Sequence, residues 1–159
     1  MNVDTLDAKI VRFFTDTPRG SVLEASRVLG VARATVESRL DRMTGAGMIS
    51  SWVPRRDPAK FGFPVVAICS LTMNQDLGRD AVAEALAAIP ELIEGHNVSG
   101  SSDLMARIAA RSNPDLQRVL DAMTATRTVL RASSVIVLDT HFQGRTLNLL
   151  EAAAARQSE

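Results

Sequence analysis

The sequence predicts an α+β protein in which a helical segment precedes a segment that alternates strands and helices. Apolar residues recur at helical spacing over residues 4–43, and β-branched runs separated by helical patterns follow from residue 64. A stretch with two prolines and one glycine, 54–63, separates the two patterns. The chain has 159 residues, of which 46% are apolar and 23% charged, so a packed core is expected.

Three helices are predicted before residue 46. The first runs from Asp4 to Thr15 with Asp4 as its cap, and the second begins at Ser21, where Glu24 completes a capping box. Gly30 ends the second helix by supplying a left-handed residue, and the third begins near Ala32, which cannot cap. The face of the third helix predicted to be buried comprises Val36, Leu40 and Met43.

The second and third helices, joined by a tight turn, form a pattern typical of a helix-turn-helix. Such a motif lays its second helix in the DNA major groove. The β-prone residues from Met48 to Pro54 predict a strand, which would make the motif a winged one.

The order predicted for the second half is β-α-β-β-α-β, the ferredoxin-like arrangement. Both helices would cover one sheet face and leave the other as a natural dimer surface. The predicted strands are Pro64–Asn74, Leu92–Val98, Leu104–Ala110 and Ser134–Phe142, and the helices are Arg79–Ile89 and one beginning at Pro114. The predicted divisions are a DNA-binding domain at 1–53, a linker at 54–63, a ferredoxin-like domain at 64–143 and a tail at 144–159 that forms a short helix.

Charge is distributed unevenly although the net charge is zero. Through Lys60 there are ten Lys and Arg against seven Asp and Glu, a balance of +3, and the remainder carries eight against eleven, a balance of −3. The basic front is therefore the part expected to meet a polyanion.

The basic and hydroxyl side chains of the third helix are the candidate DNA contacts. Arg33, Thr35 and Ser38 lie nearest its N-terminus and would approach base edges, whereas Arg39 and Arg42 would point outward to phosphates. The alternative is a solvated face balanced by Glu37 and Asp41. Two further candidates, Arg55 and Arg56, would either grip the DNA backbone or simply solubilise the linker.

The turn VSGSSD, residues 98–103, is a second candidate site. Backbone N–H groups around Gly100, with Ser101 and Ser102, could hold a carboxylate, and Asp103 could receive an ammonium, the two charged groups of an α-amino acid. The alternative is an ordinary hairpin turn, for which these residue types are common.

The residues that invite a catalytic or metal-binding interpretation are Cys69, His96 and His141. Cys69 lies within an apolar strand, and the two histidines lack the spacing of zinc ligands. No phosphate loop or nucleophile elbow is present, so neither an enzyme, a metal nor a cofactor is expected. A single cysteine also precludes an intramolecular disulfide and fits a cytoplasmic protein, and no apolar run reaches the roughly 20 residues that cross a bilayer.

The chain resembles the Lrp/AsnC (feast/famine) family of transcriptional regulators over nearly its whole length. The segments that carry the resemblance are LDAKIVRFF, ATVESRLDRMTGAGMI, RRDPAKFGF and VSGSSDLM. The resemblance implies that the second domain is the family's effector-binding domain (RAM domain). It also implies that an amino acid binds near the turn at Gly100–Asp103, between dimers, and that dimers assemble into tetramers or an octamer.

We therefore expect a sequence-specific DNA-binding transcriptional regulator that responds to an amino acid or a related small molecule. Its partners would be double-stranded DNA, further copies of itself and the amino acid, with no membrane. The first alternative is a nucleoid-associated architectural protein with weak sequence preference, which differs by its specificity ratio. The others are a regulator that has lost its effector and a metabolic enzyme, against which the missing nucleophile–base set argues.

Overall fold

The structure, a computed structural model, describes residues 3–74 and 79–157 and divides into two compact units. The first unit comprises Met1–Pro54 and Phe142–Glu159, and the second comprises Arg55–His141. The residues from 144 onward, set apart in the sequence as a tail, thus group with the first unit.

Three helices form the body of the first unit: α1 (Thr5–Asp16), α2 (Val22–Leu29) and α3 (Arg33–Gly45). Their buried faces meet in one apolar cluster, because each helix carries apolar residues at helical spacing. The fully buried members of this cluster are Ile10, Ala25, Val36 and Met43.

The helix boundaries follow from the capping residues that the sequence supplies. Asp4 and Ser21 each accept a hydrogen bond from the backbone N–H three residues onward, and each forms a reciprocal capping box. Gly30 adopts a left-handed φ of +66° at the end of α2. Ala32 precedes α3 without any side-chain cap. These local predictions are confirmed.

The strand expected at Met48–Pro54 is wrong. This segment has no regular secondary structure, and none of the described strands pairs with it. A short β-prone run without a neighbouring strand leaves its backbone groups unpaired, so propensity alone does not make a wing. Trp52 instead packs edge-to-face on Phe14 of α1, with ring centroids 5.5 Å apart.

A fourth helix of the first unit, α6 (Thr146–Ala155), packs on α1. Ala154 is buried in a small apolar cluster with Val3 and Ala8. Arg12 of α1 donates a 2.6 Å hydrogen bond to the carboxylate of Glu151. The helix expected in the tail is therefore present, and it covers part of the first unit.

The second unit is a four-stranded antiparallel sheet with strand order β2-β3-β1-β4. Its strands are β1 (Val65–Met73), β2 (Leu92–Asn97), β3 (Leu104–Ala110) and β4 (Val129–Ile136), and its helices are α4 (Arg79–Ala87) and α5 (Asn113–Ala125). The predicted β-α-β-β-α-β order and the α+β class are confirmed.

Both helices of the second unit lie on the same sheet face. The alternate β1 residues Ala67, Cys69 and Leu71 are buried in one cluster with apolar residues of α4 and α5, such as Leu86 and Met123. The intervening β1 residues are only half-buried. The second face of the sheet is therefore not covered by a helix of this unit.

The last strand lies earlier in the chain than expected. The sequence predicts it at Ser134–Phe142, but β4 begins at Val129, which is opposite Met73, and ends at Ile136, which is opposite Ala67. Pairing with β1 from Ala67 to Met73 fixes these limits, and this long-range constraint outweighs the β propensity of the residues after Ile136.

Candidate functional site

One face of α3 gathers four of the sequence-predicted DNA contacts. Thr35, Ser38, Arg39 and Arg42, together with Ala34, line a shallow surface depression of about 360 Å³. Positions 35, 38, 39 and 42 follow the helical period and therefore share one side of the helix. The neighbouring side of the helix carries Val36 and Met43 into the core, so burial of this apolar side fixes which side faces outward.

The sequence predicts that both arginines of this face point outward to phosphates. In the structure both are also paired with carboxylates. Arg42 donates through Nη2 to both carboxylate oxygens of Asp7 at 2.6 Å. Arg39 donates to Asp7 at 3.0 Å and forms a second ion pair with Asp4. Both arginines therefore stay partly exposed on this face, and the sequence did not predict that Asp4 and Asp7 would pair with them across the packing of α1 on α3.

The four side chains form an ion-pair cluster of two cations and two anions. Asp7 is fully buried, whereas 27% of the Arg39 side chain, 42% of that of Arg42 and 53% of that of Asp4 remain exposed. The cluster therefore joins a buried anion to cations that solvent can still reach. A buried carboxylate is compatible with folding only when it is paired and hydrogen-bonded, as this one is.

The acidic members of the cluster have lowered pKa values. Burial raises the pKa of Asp7, but hydrogen bonds from Arg42, the Asp4 backbone N–H and Arg39 outweigh it and bring the pKa below its ordinary value. The hydrogen bond from Arg39 is the main cause of the lowered pKa of Asp4. The same two carboxylates raise the pKa of Arg39. Both carboxylates are therefore ionised at neutral pH and face two cationic guanidinium groups.

From the sequence, Asp4 has only a capping role and Asp7 has none. A signal is nevertheless present: Asp7 lies three residues after Asp4, the cap of α1, and Arg39 and Arg42 are three residues apart on α3. Equal spacing places each pair on one helix face, but nothing local indicates that the two faces meet.

The remaining predicted DNA contacts lie elsewhere. Arg33, at the start of α3, forms an i,i+4 ion pair with Glu37 at 2.8 Å and does not line the depression. Arg55 and Arg56 are exposed and belong to the second unit. The structure therefore brings together four of the seven candidates.

The second candidate site, Gly100–Asp103, is the turn between β2 and β3. Gly100 has a φ of +130°, a conformation that favours glycine. Ser101 is exposed and Ser102 is half-buried. The sequence predicts that the Asp103 carboxylate binds the ammonium group of an amino acid. In the structure its Oδ2 accepts a 2.8 Å hydrogen bond from the backbone N–H of Met73. One carboxylate oxygen of Asp103 therefore has a structural role, because it accepts a hydrogen bond from the last residue of β1.

A cavity that the sequence does not reveal borders this turn. It has a volume of about 320 Å³ and lies between α4 and the strands β2 and β3. Its walls are mainly apolar, with Glu94 and Asn97 among the polar residues; the apolar side chains are Met73, Val82, Leu86, Leu92, Ile93 and Leu104. Met73 lines the cavity and donates its N–H to Asp103 of the turn, and Leu104, which follows Asp103 in the chain, lines the cavity as well. A cavity of this size suits a small molecule.

The residues considered for catalysis or metal binding lie apart in the fold. Cys69 is buried in β1, and burial raises the pKa of its thiol to about 11, so it is a neutral core residue. His96 is exposed on β2, and His141 lies 3.6 Å from Asp139. Within residues 3–74 and 79–157, no group of three His, Cys, Asp or Glu could hold a metal ion. None of the helices in these ranges has the length and apolar character that a membrane span requires.

The fold and the site define a two-unit α+β protein that combines a helical unit with a four-stranded sheet unit. Residues 66–147, just over half of the chain, match the Lrp/AsnC ligand binding domain. The chain therefore belongs to the Lrp/AsnC family, whose curated members with similar sequences are transcriptional regulators.

Individual relatives extend this similarity along the chain. The HTH-type transcriptional regulator FL11 of Pyrococcus horikoshii is 25% identical over 139 residues, which are 87% of this chain and 91% of FL11. The structure of E. coli AsnC is similar with a TM-score of 0.82 and 20% identity, covering 92% of this chain and 99% of AsnC. The feast or famine regulatory protein of M. tuberculosis, solved with L-methionine, gives a TM-score of 0.79 at 24% identity, covering 89% of this chain and 96% of that one.

Proposed function

We propose that this protein is a sequence-specific DNA-binding transcriptional regulator whose α3 enters the major groove. The observation that carries this proposal is the outward face of α3, which presents hydroxyl and guanidinium groups while Val36 and Met43 of the same helix are buried in the core. A helix presented in this way after a short turn is how a helix-turn-helix contacts DNA. The similarity to HTH-type transcriptional regulators supports the same function.

The side chains on this face divide into two roles. Thr35 and Ser38 are nearer the N-terminus of α3 and would contact base edges, together with Arg33 at the helix start. Arg39 and Arg42 would contact phosphates, which position a protein on DNA without reading its sequence. Arg55 and Arg56 would add backbone contacts. The +3 charge balance of the residues up to Lys60 favours this side of the protein for a polyanion.

We infer that two copies pair through the uncovered sheet face. The apolar residues on this face include Ile68 of β1 and Val135 of β4, which are opposite each other in the ladder. Val135 is 65% exposed, and exposed apolar side chains grouped on one face are typical of interfaces. A two-fold dimer would present two α3 helices to half-sites about one DNA turn apart. Tetramers or an octamer, which the family resemblance implies, would form from these dimers.

An amino acid or a related small molecule is the effector that we propose. The M. tuberculosis regulator, which shares this fold, was solved with L-methionine. In this chain the backbone N–H groups around Gly100 would hold the carboxylate, and the adjacent cavity would supply apolar walls for a side chain. Effector binding would change DNA affinity through a difference in affinity between two assembly states.

DNA fragments selected from the source genome at physiological salt test the DNA-binding proposal. Recovery of a few sharply defined sites is the expected result, whereas uniform coverage would favour a nucleoid-associated protein with weak sequence preference. Failure to retain any fragment would contradict both functions.

The replacement Arg42→Gln should weaken binding to all DNA sequences by similar factors. If Arg42 contacts one phosphate, its loss reduces the slope of log affinity against log salt concentration by about 0.9. The measurement is fluorescence anisotropy of labelled duplexes over a range of KCl concentrations. Ser38→Ala is the matched comparison, because a base contact should change sequence preference and leave the slope unchanged. An unchanged slope in Arg42→Gln would exclude a phosphate contact by this residue.

Thermal unfolding with each common amino acid tests the effector proposal. At least one amino acid should raise the melting temperature, because a ligand that binds only the folded state stabilises it by mass action. Asp103→Asn keeps an acceptor for the Met73 N–H but removes the carboxylate charge, so it should abolish the shift while folding normally. If no amino acid shifts the wild-type protein, the effector proposal is wrong.

A further inference from the structure

We propose that Asp4 and Asp7 are positioning residues for DNA contact, and that they act in opposite directions. Asp7 holds Arg39 and Arg42 together at the surface of α3, whereas Asp4 competes with a DNA phosphate for Arg39. This inference rests on the proposed function and names the groups that set its affinity.

The geometry of Asp7 suits a permanent anchor. Its carboxylate is fully buried and accepts from Arg42 through both oxygens and from Arg39 through one. A DNA phosphate cannot take the place of a buried anion, because both guanidinium groups would have to leave it uncompensated in the protein interior. Part of each arginine side chain remains exposed, so a phosphate can approach both of them while Asp7 stays paired. Asp7 therefore restricts both arginines to one surface location before DNA arrives.

The geometry of Asp4 suits an exchangeable partner. Half of its side chain is exposed, and its only ion pair among the described residues is with Arg39. Its carboxylate also accepts from the Asp7 backbone N–H at 2.9 Å as the cap of α1, so it keeps a partner when Arg39 moves to a phosphate. Exposed ion pairs are weak, which makes exchange for a DNA phosphate feasible.

The charge balance of the cluster gives the direction of the effect. With Asp4 and Asp7 both ionised, the two arginines are neutralised and the cluster attracts a polyanion weakly. Without the charge of Asp4, the cluster carries one net positive charge beside the depression lined by Thr35 and Ser38. Binding to DNA must overcome this local neutralisation.

The test is anisotropy titration of a fluorescein-labelled duplex of mixed sequence, about four helical turns long, at several KCl concentrations. Asp4→Asn should raise the affinity about threefold and steepen the salt slope by up to about 0.9, as expected for one more net phosphate neutralised. Asparagine caps helices as well as aspartate does, so α1 should remain intact. Asp41→Asn is the matched control: Asp41 is exposed on α3 and forms no ion pair within the described residues.

Asp7→Asn removes the same charge but should lower the DNA affinity several-fold, because the arginines lose their anchor. Fluorescence of Trp52 shows that the first unit is folded under the conditions of each titration. A double variant isolates the pair: in an Arg39→Gln background, Asp4→Asn should no longer raise the affinity. This test uses variants of Asp4 and Arg39 alone, so its result does not depend on whether Asp7→Asn folds.

The outcomes separate this inference from the proposed function. Wild-type protein that binds no duplex at any salt concentration overturns both. If the wild type binds DNA but Asp4→Asn raises the affinity no more than Asp41→Asn does, then Asp4 does not compete with a phosphate for Arg39. The proposed DNA-binding function would still stand. An increase in affinity for Asp7→Asn equal to that for Asp4→Asn would overturn the anchoring role.

Discussion

The replacement Asp7→Asn is expected to destabilise the first unit by about 2–3 kcal/mol. Loss of one partner from a buried ion pair generally costs about 3–5 kcal/mol, and we take a smaller value because Arg39 and Arg42 both remain partly exposed. Urea unfolding followed by Trp52 fluorescence measures this loss. Trp52 is the sole tryptophan and packs on Phe14, so its signal reports unfolding of the first unit.

The control for this prediction is Asp41→Asn, which makes the same chemical change at an exposed position of α3. Its stability should stay within about 0.5 kcal/mol of the wild type. Equal stabilities of the two variants would mean that the buried carboxylate contributes nothing beyond a surface charge.

The pH dependence of stability supplies a second readout for the same variant. Asp4 and Asp7 have pKa values below those of ordinary carboxylates, so their contribution is fully present above the unfolded-state pKa of about 3.9. It is lost as the pH falls from there through the lower pKa values of the folded state. Wild-type stability should therefore decline steeply in this acidic range, and that of Asp7→Asn should decline less steeply. Parallel curves would contradict the assignment.

The largest expected effect on DNA binding comes from Val135→Asp on β4. A carboxylate on the uncovered sheet face, at edge strand β4 opposite Ile68, would be desolvated without a partner if two copies paired there. We expect the proposed dimer to dissociate and the affinity for a two-half-site operator to fall by about 100-fold or more, because the second half-site no longer benefits from linkage. Sedimentation velocity and anisotropy titration measure the two effects.

Val28→Asp is the matched control for dissociation. Val28 of α2 is similarly exposed but lies in the first unit, so this change should leave the mass in solution unaltered. A Val135→Asp variant that sediments like the wild type would place the subunit interface elsewhere.

The sequence was sufficient to predict the features of the fold that depend on interactions between residues close together in the chain. Asp4, Ser21 and Gly30 act at helix ends through their own backbone neighbours, so their roles can be predicted from residue type and spacing. The α+β class follows from the change of apolar period near residue 64 for the same reason.

The features that were not predicted correctly depend on contacts between residues that are distant in the sequence. The limits of β4 depend on its pairing with β1, and the β-branched residues after Ile136 gave no indication of that register. The segment at Met48–Pro54 has strand propensity but no partner strand among those described. Arg39 and Arg42 turn toward Asp7 because α1 packs beside α3, a contact between residues more than thirty positions apart in sequence. Spacing on one helix cannot reveal which helix lies next to it.

The packing of α6 on α1 means that the first unit is discontinuous in sequence, with the second unit inserted between its two parts. A fragment cut after Pro54 would lose Ala154 from its small apolar cluster and leave Val3 and Ala8 open to water. A fragment that represents the first unit should therefore contain the segment from 142 onward together with the first 54 residues.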